Sequence, residues 1–248
     1  MEASTFKSRR EHRKDVHRFN RYIKGDNWDG EVALYAKQLE TQRFTVIVRS
    51  PNNRRKENTK PPDTSRQKAQ VEFDLLPTVH AADYDVLMKI PRPEGLEPAH
   101  KLTLELDHDG YTDEKYALYL KYQNIIHSES KSENTVTQFT RFLCSSPFLG
   151  AKTYEDKTTG ETRRIGTYHQ LYRIDGKLVA FAVLDLLPNT LSSVYFVYDP
   201  HEVGKFGMGK VSALREVAMC IEGGYKYYGL GIAILLKDTD DRAICIGM

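Results

Sequence analysis

Residues 166–221 read GTYHQLYRIDGKLVAFAVLDLLPNTLSSVYFVYDPHEVGKFGMGKVSALREVAMCI. Two β-rich runs, 168–174 and 178–187, meet at Asp175-Gly176. That dipeptide is a strong hairpin signal, because a type I′ turn needs positive φ at both central residues. A third apolar run, 194–198, follows the Pro188-Asn189 turn, and then come a glycine-rich loop (Gly204, Gly207, Gly209) and a helical pattern from Lys210. A strand, a glycine loop and a helix in that order point backbone N–H groups and the positive end of a helix dipole at an anion.

With Asp175 and Gly176 as the turn, residue 174 faces 177 and the rest of the ladder follows. One face then carries Tyr168, Gln170, Tyr172, Phe181, Val183 and Asp185. The other carries His169, Leu171, Ala180, Ala182 and Leu184. This register puts Asp185 diagonal to Tyr168, so a carboxylate and a phenol share a face near the open end of the hairpin. Asp185, Tyr168 and Gln170 are therefore the candidate reactive group. The structural alternative, in which Asp185 closes a strand and bonds the Pro188 turn, stays open at this point.

A chain of 248 residues, 40% hydrophobic and 28% charged, is long enough to bury a core. Its net charge of +2 is unevenly spread. Lys7, Arg9, Arg10, Arg13, Lys14, Arg18, Arg21 and Lys24 crowd the start, and a second basic block runs from Arg49 through Arg54, Arg55, Lys56, Lys60, Arg66 and Lys68. Two such blocks suit contact with a polyanion, or else a solvated tail and loop. Cys144, Cys220 and Cys245 form neither a CxxC pair nor a zinc-type spacing with histidine, so no metal is expected and a reducing compartment is. The basic N-terminus lacks an apolar signal core and the longest apolar run, 229–236, is too short to span a bilayer. The expectation is a cytoplasmic or nuclear protein without a membrane partner.

Along the chain, residues 8–24 read as a basic helix with a narrow seam of Val16, Phe19 and Ile23. A short helical pattern spans 30–39, and the β-branched stretch 44–48 reads as a strand. Residues 52–70, polar and broken by Pro61-Pro62, read as a mobile loop. Leu102, Leu104 and Leu106 alternate with polar residues as in a half-buried strand. Thr112 is placed to N-cap a helix over 113–127. Arg141 lies among aromatics in a compact segment ending at Pro147, and 151–164 reads as a charged loop. The expected class is α+β, with three regions: a basic helical arm (1–28), a partly irregular basic segment (29–100) and a main domain (101–248).

Gly204-Lys-Phe-Gly-Met-Gly209-Lys210 satisfies GxxxxGK, yet the next residue is Val211 where a magnesium-binding loop needs Ser or Thr. It also follows an antiparallel hairpin. A nucleotide-triphosphate loop is therefore rejected in favour of a looser anion cradle built from Lys205, Gly207, Gly209 and Lys210.

Several segments taken in order carry a family resemblance. Lys121-Tyr-Gln-Asn-Ile-Ile-His127 and Phe139-Thr-Arg-Phe-Leu-Cys-Ser-Ser-Pro147 are followed by Asp175-Gly-Lys-Leu-Val-Ala180, Asp185-Leu-Leu-Pro-Asn189, Ser192-Ser-Val-Tyr195, Asp199-Pro200 and Ser212-Ala-Leu-Arg-Glu216. Together they resemble the catalytic domain of eukaryotic arginyl-tRNA–protein transferases. Arg13-Lys-Asp-Val-His-Arg-Phe-Asn20 is similar to the linker entering it. The resemblance implies a GCN5-related acyltransferase fold and transfer of arginine from arginyl-tRNA to the α-amine of proteins beginning with Asp, Glu or oxidised Cys, the N-degron reaction. It implies no cofactor, because the ester is already activated.

In that frame Asp185 handles the amine proton with Tyr168 and Gln170 beside it. Arg141 and Arg215 clamp an acidic side chain, and Ser193 and Tyr195 line the substrate site. The chain departs from the family in lacking the N-terminal cysteine cluster and, after Tyr228, the expected polar strand, which reads as a C-terminal truncation. Transfer to a small amine or amino acid, as in cyclodipeptide synthesis, and a non-catalytic tRNA-binding fragment are the alternative readings.

Overall fold

A computed structural model describes residues 1–48, 73–146, 148, 152–157 and 159–230, with side chains through residue 41 in the first stretch. The expected loop at 52–70 lies outside the described residues. Six strands form one sheet: β1 (Leu102–His108), β2 (Lys152–Glu155), β3 (Thr162–Ile174), β4 (Lys177–Leu186), β5 (Thr190–Tyr198) and β6 (Tyr227–Leu230). The order is β1-β3-β4-β5-β6, with β2 pairing the start of β3. All pairs are antiparallel except β5 with β6. That parallel step needs a crossover, which α7 (Met208–Glu222) supplies. The class is α+β, as the sequence implies.

The β3–β4 turn forms at Asp175-Gly176, where φ is +52° and +84°. Asp175 is also pinned from outside, since its carboxylate accepts the Lys101 amide at 2.7 Å and meets His100 Nδ1 at 2.7 Å. Beyond the turn, Arg173 pairs with Leu178 but Tyr172 pairs with Ala180, so Val179 is an extra, bulged residue. Its carbonyl accepts the Asp199 amide at 2.8 Å, on the β5 side. A second bulge falls on β5, where Val183 pairs with Tyr195 but Leu184 pairs with Ser193, leaving Val194 over. Because side chains alternate with period 2, each bulge reverses which face every residue beyond it occupies.

Helices cover both faces. On one side lie α5 (Asp113–His127) and α6 (Val136–Leu143), packed through Tyr119, Phe139 and Leu143 onto Leu171, Phe181 and Val183. On the other lie α1 (Arg10–Lys24), α3 (Leu75–His80) and α7. The α1 seam behaves as its spacing implies: Val16, Phe19 and Ile23 are buried against Phe206, Val211 and Leu214. Burying three such side chains is worth about 5–9 kcal/mol before entropy, which holds a mostly cationic helix to the body.

Thr112 caps α5 as expected, accepting the Lys115 amide at 3.2 Å. Two expectations fail. Residues 44–48 continue the helix α2 (Trp28–Val48) rather than forming a strand, since extending an existing helix needs no new nucleus. Residues 151–164 are not all loop: Lys152–Glu155 pairs with Thr162–Ile165. Arg163 anchors this hairpin, donating to Glu161 at 2.7 Å and to the Pro188 carbonyl at 3.1 Å. The short helix α4 (Tyr84–Leu87) and two 3₁₀ turns, Ala3–Thr5 and Gly204–Phe206, complete the described elements.

Candidate active site

Asp185 stands half-buried near the end of β4, on the α5–α6 side of the sheet. Its cross-strand partners are Thr167 on β3 and Ser192 on β5, and Ser192 pairs onward with Gly229 on β6. A row of small and polar residues thus runs across four strands at one end of the sheet. The Thr167 hydroxyl donates to Asp185 Oδ1 at 2.7 Å. Thr167 Oγ1 in turn lies 3.0 Å from Ser146 Oγ, and the Phe148 amide donates to Ser146 Oγ at 3.0 Å. Since Thr167 uses its proton on the carboxylate, Ser146 donates to Thr167, and the hydroxyl chain points one way, toward Asp185.

Burial raises the Asp185 pKa above the ordinary carboxylate value; the Thr167 bond opposes that shift and the charge of Asp109 adds to it. The result is an ionisable carboxyl that holds a proton more readily than an exposed one. Oδ2 accepts no hydrogen bond among the described residues, so Asp185 keeps one oxygen for an incoming donor.

The expected partners of Asp185 are elsewhere. The Val179 bulge turns Tyr168 and Gln170 to the α7 side, pairing them with Leu184 and Ala182 instead of the expected Val183 and Phe181, and so away from Asp185. Tyr168 is buried and stacks on His108 at 5.6 Å. Gln170 is buried, its Oε1 accepting the Tyr172 hydroxyl at 2.9 Å. What replaces them beside Asp185 is Thr167 and, two residues along β3, His169. Its ring is wholly buried and its Nε2 lies 2.8 Å from the Leu143 carbonyl. Burial pushes its pKa down to about 4, so the ring is neutral and Nε2 carries the proton toward that carbonyl.

Ser193 and Tyr195 part company for the same reason. The Val194 bulge places Tyr195 on the α5 side, where its ring meets Phe142 edge-on at 5.2 Å. Ser193 faces α7 and joins a buried network that spacing alone does not reveal. There Glu216 is 1% exposed and accepts the Ser212 hydroxyl at 2.6 Å and the Tyr228 hydroxyl at 2.7 Å. Burial first, then the Glu216 charge, push the Tyr228 phenol well up, while its bond with Ser193 opposes them. Tyr172 Oη lies 3.2 Å from Ser212, linking Gln170 to the same system. The available signal was Ser212 and Glu216 one helical turn apart on a helix whose other buried residues, Arg215 aside, are apolar.

The two arginines do not converge. Arg141 is exposed on α6. Arg215 is buried on α7, across the sheet, with its guanidinium 2.7 Å from Asp83. His80 continues that cluster, with Nδ1 2.6 Å from Asp83 and Nε2 3.1 Å from Glu222.

The glycine loop folds as a 3₁₀ turn, Gly204–Phe206, followed by α7 with Gly207 at its N-cap in the left-handed region, φ +66°. The anion facing this helix end is internal. A Cβ on Gly207 would lie 2.8 Å from Asp15 Oδ2, contributed by α1. Lys210 Nζ is 3.5 Å from the same oxygen, and Lys205 lies over the Tyr22 and Phe206 rings. The expected cradle of Lys205, Gly207, Gly209 and Lys210 is therefore closed by a protein carboxylate, which satisfies the helix dipole. No group of three or more His, Cys, Asp or Glu placed to hold a metal occurs among the described residues, and no described helix is long and apolar enough to cross a membrane.

The family model for the "Arginine-tRNA-protein transferase, C terminus" matches residues 114–237, a segment containing Asp185, Thr167 and Glu216. An "Arginyl-tRNA--protein transferase 1" of Saccharomyces cerevisiae is 38% identical over 137 residues, covering 50% of this chain and 27% of that protein. The Arabidopsis thaliana protein of the same name is 34% identical over 139 residues, covering 54% and 22%. An "Aspartate/glutamate leucyltransferase" of Stutzerimonas stutzeri is 32% identical over 123 residues, covering 49% and 44%. The chain thus spans about a quarter of the length of these eukaryotic relatives and under half of the bacterial one. A solved ribosomal-protein-alanine N-acetyltransferase from Brucella melitensis overlaps 59% of this chain and 99% of its own at 15% identity, with a TM-score of 0.31, too loose to assign a fold.

Proposed function

The chain belongs to the arginine-tRNA-protein transferase family, whose C-terminal model matches half of it, and from that premise we propose that it transfers arginine from arginyl-tRNA to the α-amine of a protein acceptor. The observation that carries this reading is Asp185: a half-buried carboxylate of raised pKa, held by Thr167 through one oxygen, at the sheet end inside the matched segment.

The reaction needs a neutral amine in line with the ester carbonyl and a proton acceptor beside it. The amine nitrogen forms a bond to the arginyl carbonyl carbon, and its proton passes to Asp185 Oδ2. As the tetrahedral intermediate collapses, the carbon–oxygen bond to the terminal ribose breaks and Asp185 returns the proton to the departing oxygen. No net proton is gained or lost at the carboxylate. Thr167 keeps Oδ1 engaged throughout, which aims Oδ2 at the reacting amine. Arg141, exposed on the Asp185 side of the sheet, is the residue we assign to the acidic side chain of an acceptor beginning with Asp or Glu; Arg215 is too deeply paired to serve.

Transfer of radiolabelled arginine from arginyl-tRNA tests the proposal, with a peptide beginning with Glu, one beginning with Gly, and free amino acids as acceptors. The proposal expects label on the Glu peptide and its loss in Asp185→Asn. Label on free amino acids alone, or full turnover in Asp185→Asn, overturns it.

A further inference from the structure

Helix α1 turns its apolar seam inward and its cations outward. Arg10, Lys14, Arg18 and Arg21 recur every three or four residues, placing a cation on each turn, about every 5.4 Å along one side, with Arg13 beside them. Farther along α1, Arg18 and Arg21 are paired, with Asp15 and Asp26 at 2.7 and 2.8 Å. Arg10, Arg13 and Lys14 have no carboxylate partner among the described residues. They and His17 form one wall of a shallow groove of about 500 Å³ between α1 and the start of α3. The opposite wall includes Phe73, with the Arg13 guanidinium 5.7 Å from its ring centroid, and Asp74, the one acidic side chain lining the groove.

A groove with regularly spaced cations on one side and an aromatic ring on the other fits a strand of RNA better than a protein. Phosphates of successive nucleotides can take the cations without reading sequence, while an unpaired base stacks on the ring or the guanidinium plane. Asp15 supports this orientation: by turning inward to the α7 N-terminus it locks α1 in place, which leaves Glu11 as the one acidic side chain on an otherwise basic outer face. We propose that the α1–α3 groove binds the junction between paired and unpaired RNA, with Arg10, Arg13 and Lys14 on phosphates and Phe73 under an unpaired base. The proposal rests on the aminoacyl-tRNA reading for the class of nucleic acid and on α1 itself for the surface, which lies outside the proposed catalytic row.

The test uses the whole chain with a stem-loop RNA bearing an unpaired 3′ tail, the same stem-loop blunt-ended, a poly-glutamate peptide and phosphatidylserine vesicles. Binding is measured as a function of salt. The variant R10Q/R13Q/K14Q is expected to lower the slope of log affinity against log salt by about 2 to 3. Phe73→Ala is expected to weaken the tailed RNA by about tenfold and leave the blunt one unchanged. Arginine transfer from an arginylated 3′ fragment too short to reach α1 stays at its starting rate in both variants. An unchanged salt slope in the triple variant, or tighter binding to poly-glutamate or vesicles than to RNA, overturns the proposal. Absence of transfer from the short fragment with normal RNA binding instead removes the transferase reading and leaves the groove standing.

Discussion

Replacing Thr167 by valine removes the 2.7 Å bond that holds Asp185 Oδ1 and nearly preserves side-chain shape. A hydrogen bond to an ionised group is worth about 1.5–3 kcal/mol, and the lower end applies because this carboxylate is only half-buried. One pKa unit is about 1.4 kcal/mol, so the loss corresponds to a rise of about one unit. The sign follows from the charge state: Thr167 stabilises the carboxylate, so its removal favours the protonated acid and adds to a pKa already raised by burial. If Asp185 accepts the amine proton, the acidic limb of kcat/KM moves up by about one pH unit. The rate then falls about tenfold at any pH below both limbs and converges with the parent above them.

Single-turnover transfer across a pH series, for the parent, Thr167→Val and Thr167→Ser, reads this directly. The serine variant keeps a hydroxyl and restores the limb. A limb that stays in place in Thr167→Val, while Asp185→Asn is inactive, would refute the assignment of Asp185 as the titrating base. Stability gives an independent check. A carboxyl whose folded pKa is raised favours folding when protonated, so its contribution is lost as pH rises from the unfolded value through the folded one. Urea midpoints of Thr167→Val are therefore expected to match the parent at low pH and fall below it at neutral pH.

Glu216→Ala leaves the Ser212 and Tyr228 hydroxyls without their acceptor in the core and is expected to cost about 2–4 kcal/mol, read as a lower thermal midpoint, whereas Glu216→Gln keeps most of that stability. Gly207→Ala combines a positive φ with a contact 2.8 Å from the Asp15 carboxylate; in an Asp15→Ala background its penalty shrinks to the backbone part, about 1–2 kcal/mol, so additive penalties in a double-mutant cycle would argue against the contact. His80 has its pKa raised from 6.5, chiefly by its bond to Asp83, so its stabilising contribution is present below about that pH and is lost as pH rises through the folded value. Urea unfolding followed from acid to alkaline pH should show that decline in the parent and not in His80→Gln.

Local patterns read from the sequence alone were sufficient for the elements that make their own geometry. Asp175-Gly176 forms the turn because few residue pairs tolerate two positive φ angles. Thr112 caps α5, and the Val16, Phe19 and Ile23 seam finds an apolar surface because its spacing matches one face of a helix. The motif order also carried the family. Register beyond a bulge and the identity of counter-ions depended on the assembled protein. Val179 and Val194 look like ordinary strand residues, yet each is excluded from the ladder, and a one-residue slip sends Tyr168, Gln170 and Ser193 to the side opposite Asp185. Likewise the glycine loop does present a helix end suited to an anion, but only packing shows that Asp15, on a helix at the other end of the chain, already supplies the charge. Turns and caps are decided by the neighbouring residues' own torsion angles; faces and charge partners are decided by which distant segment arrives to complete the bond.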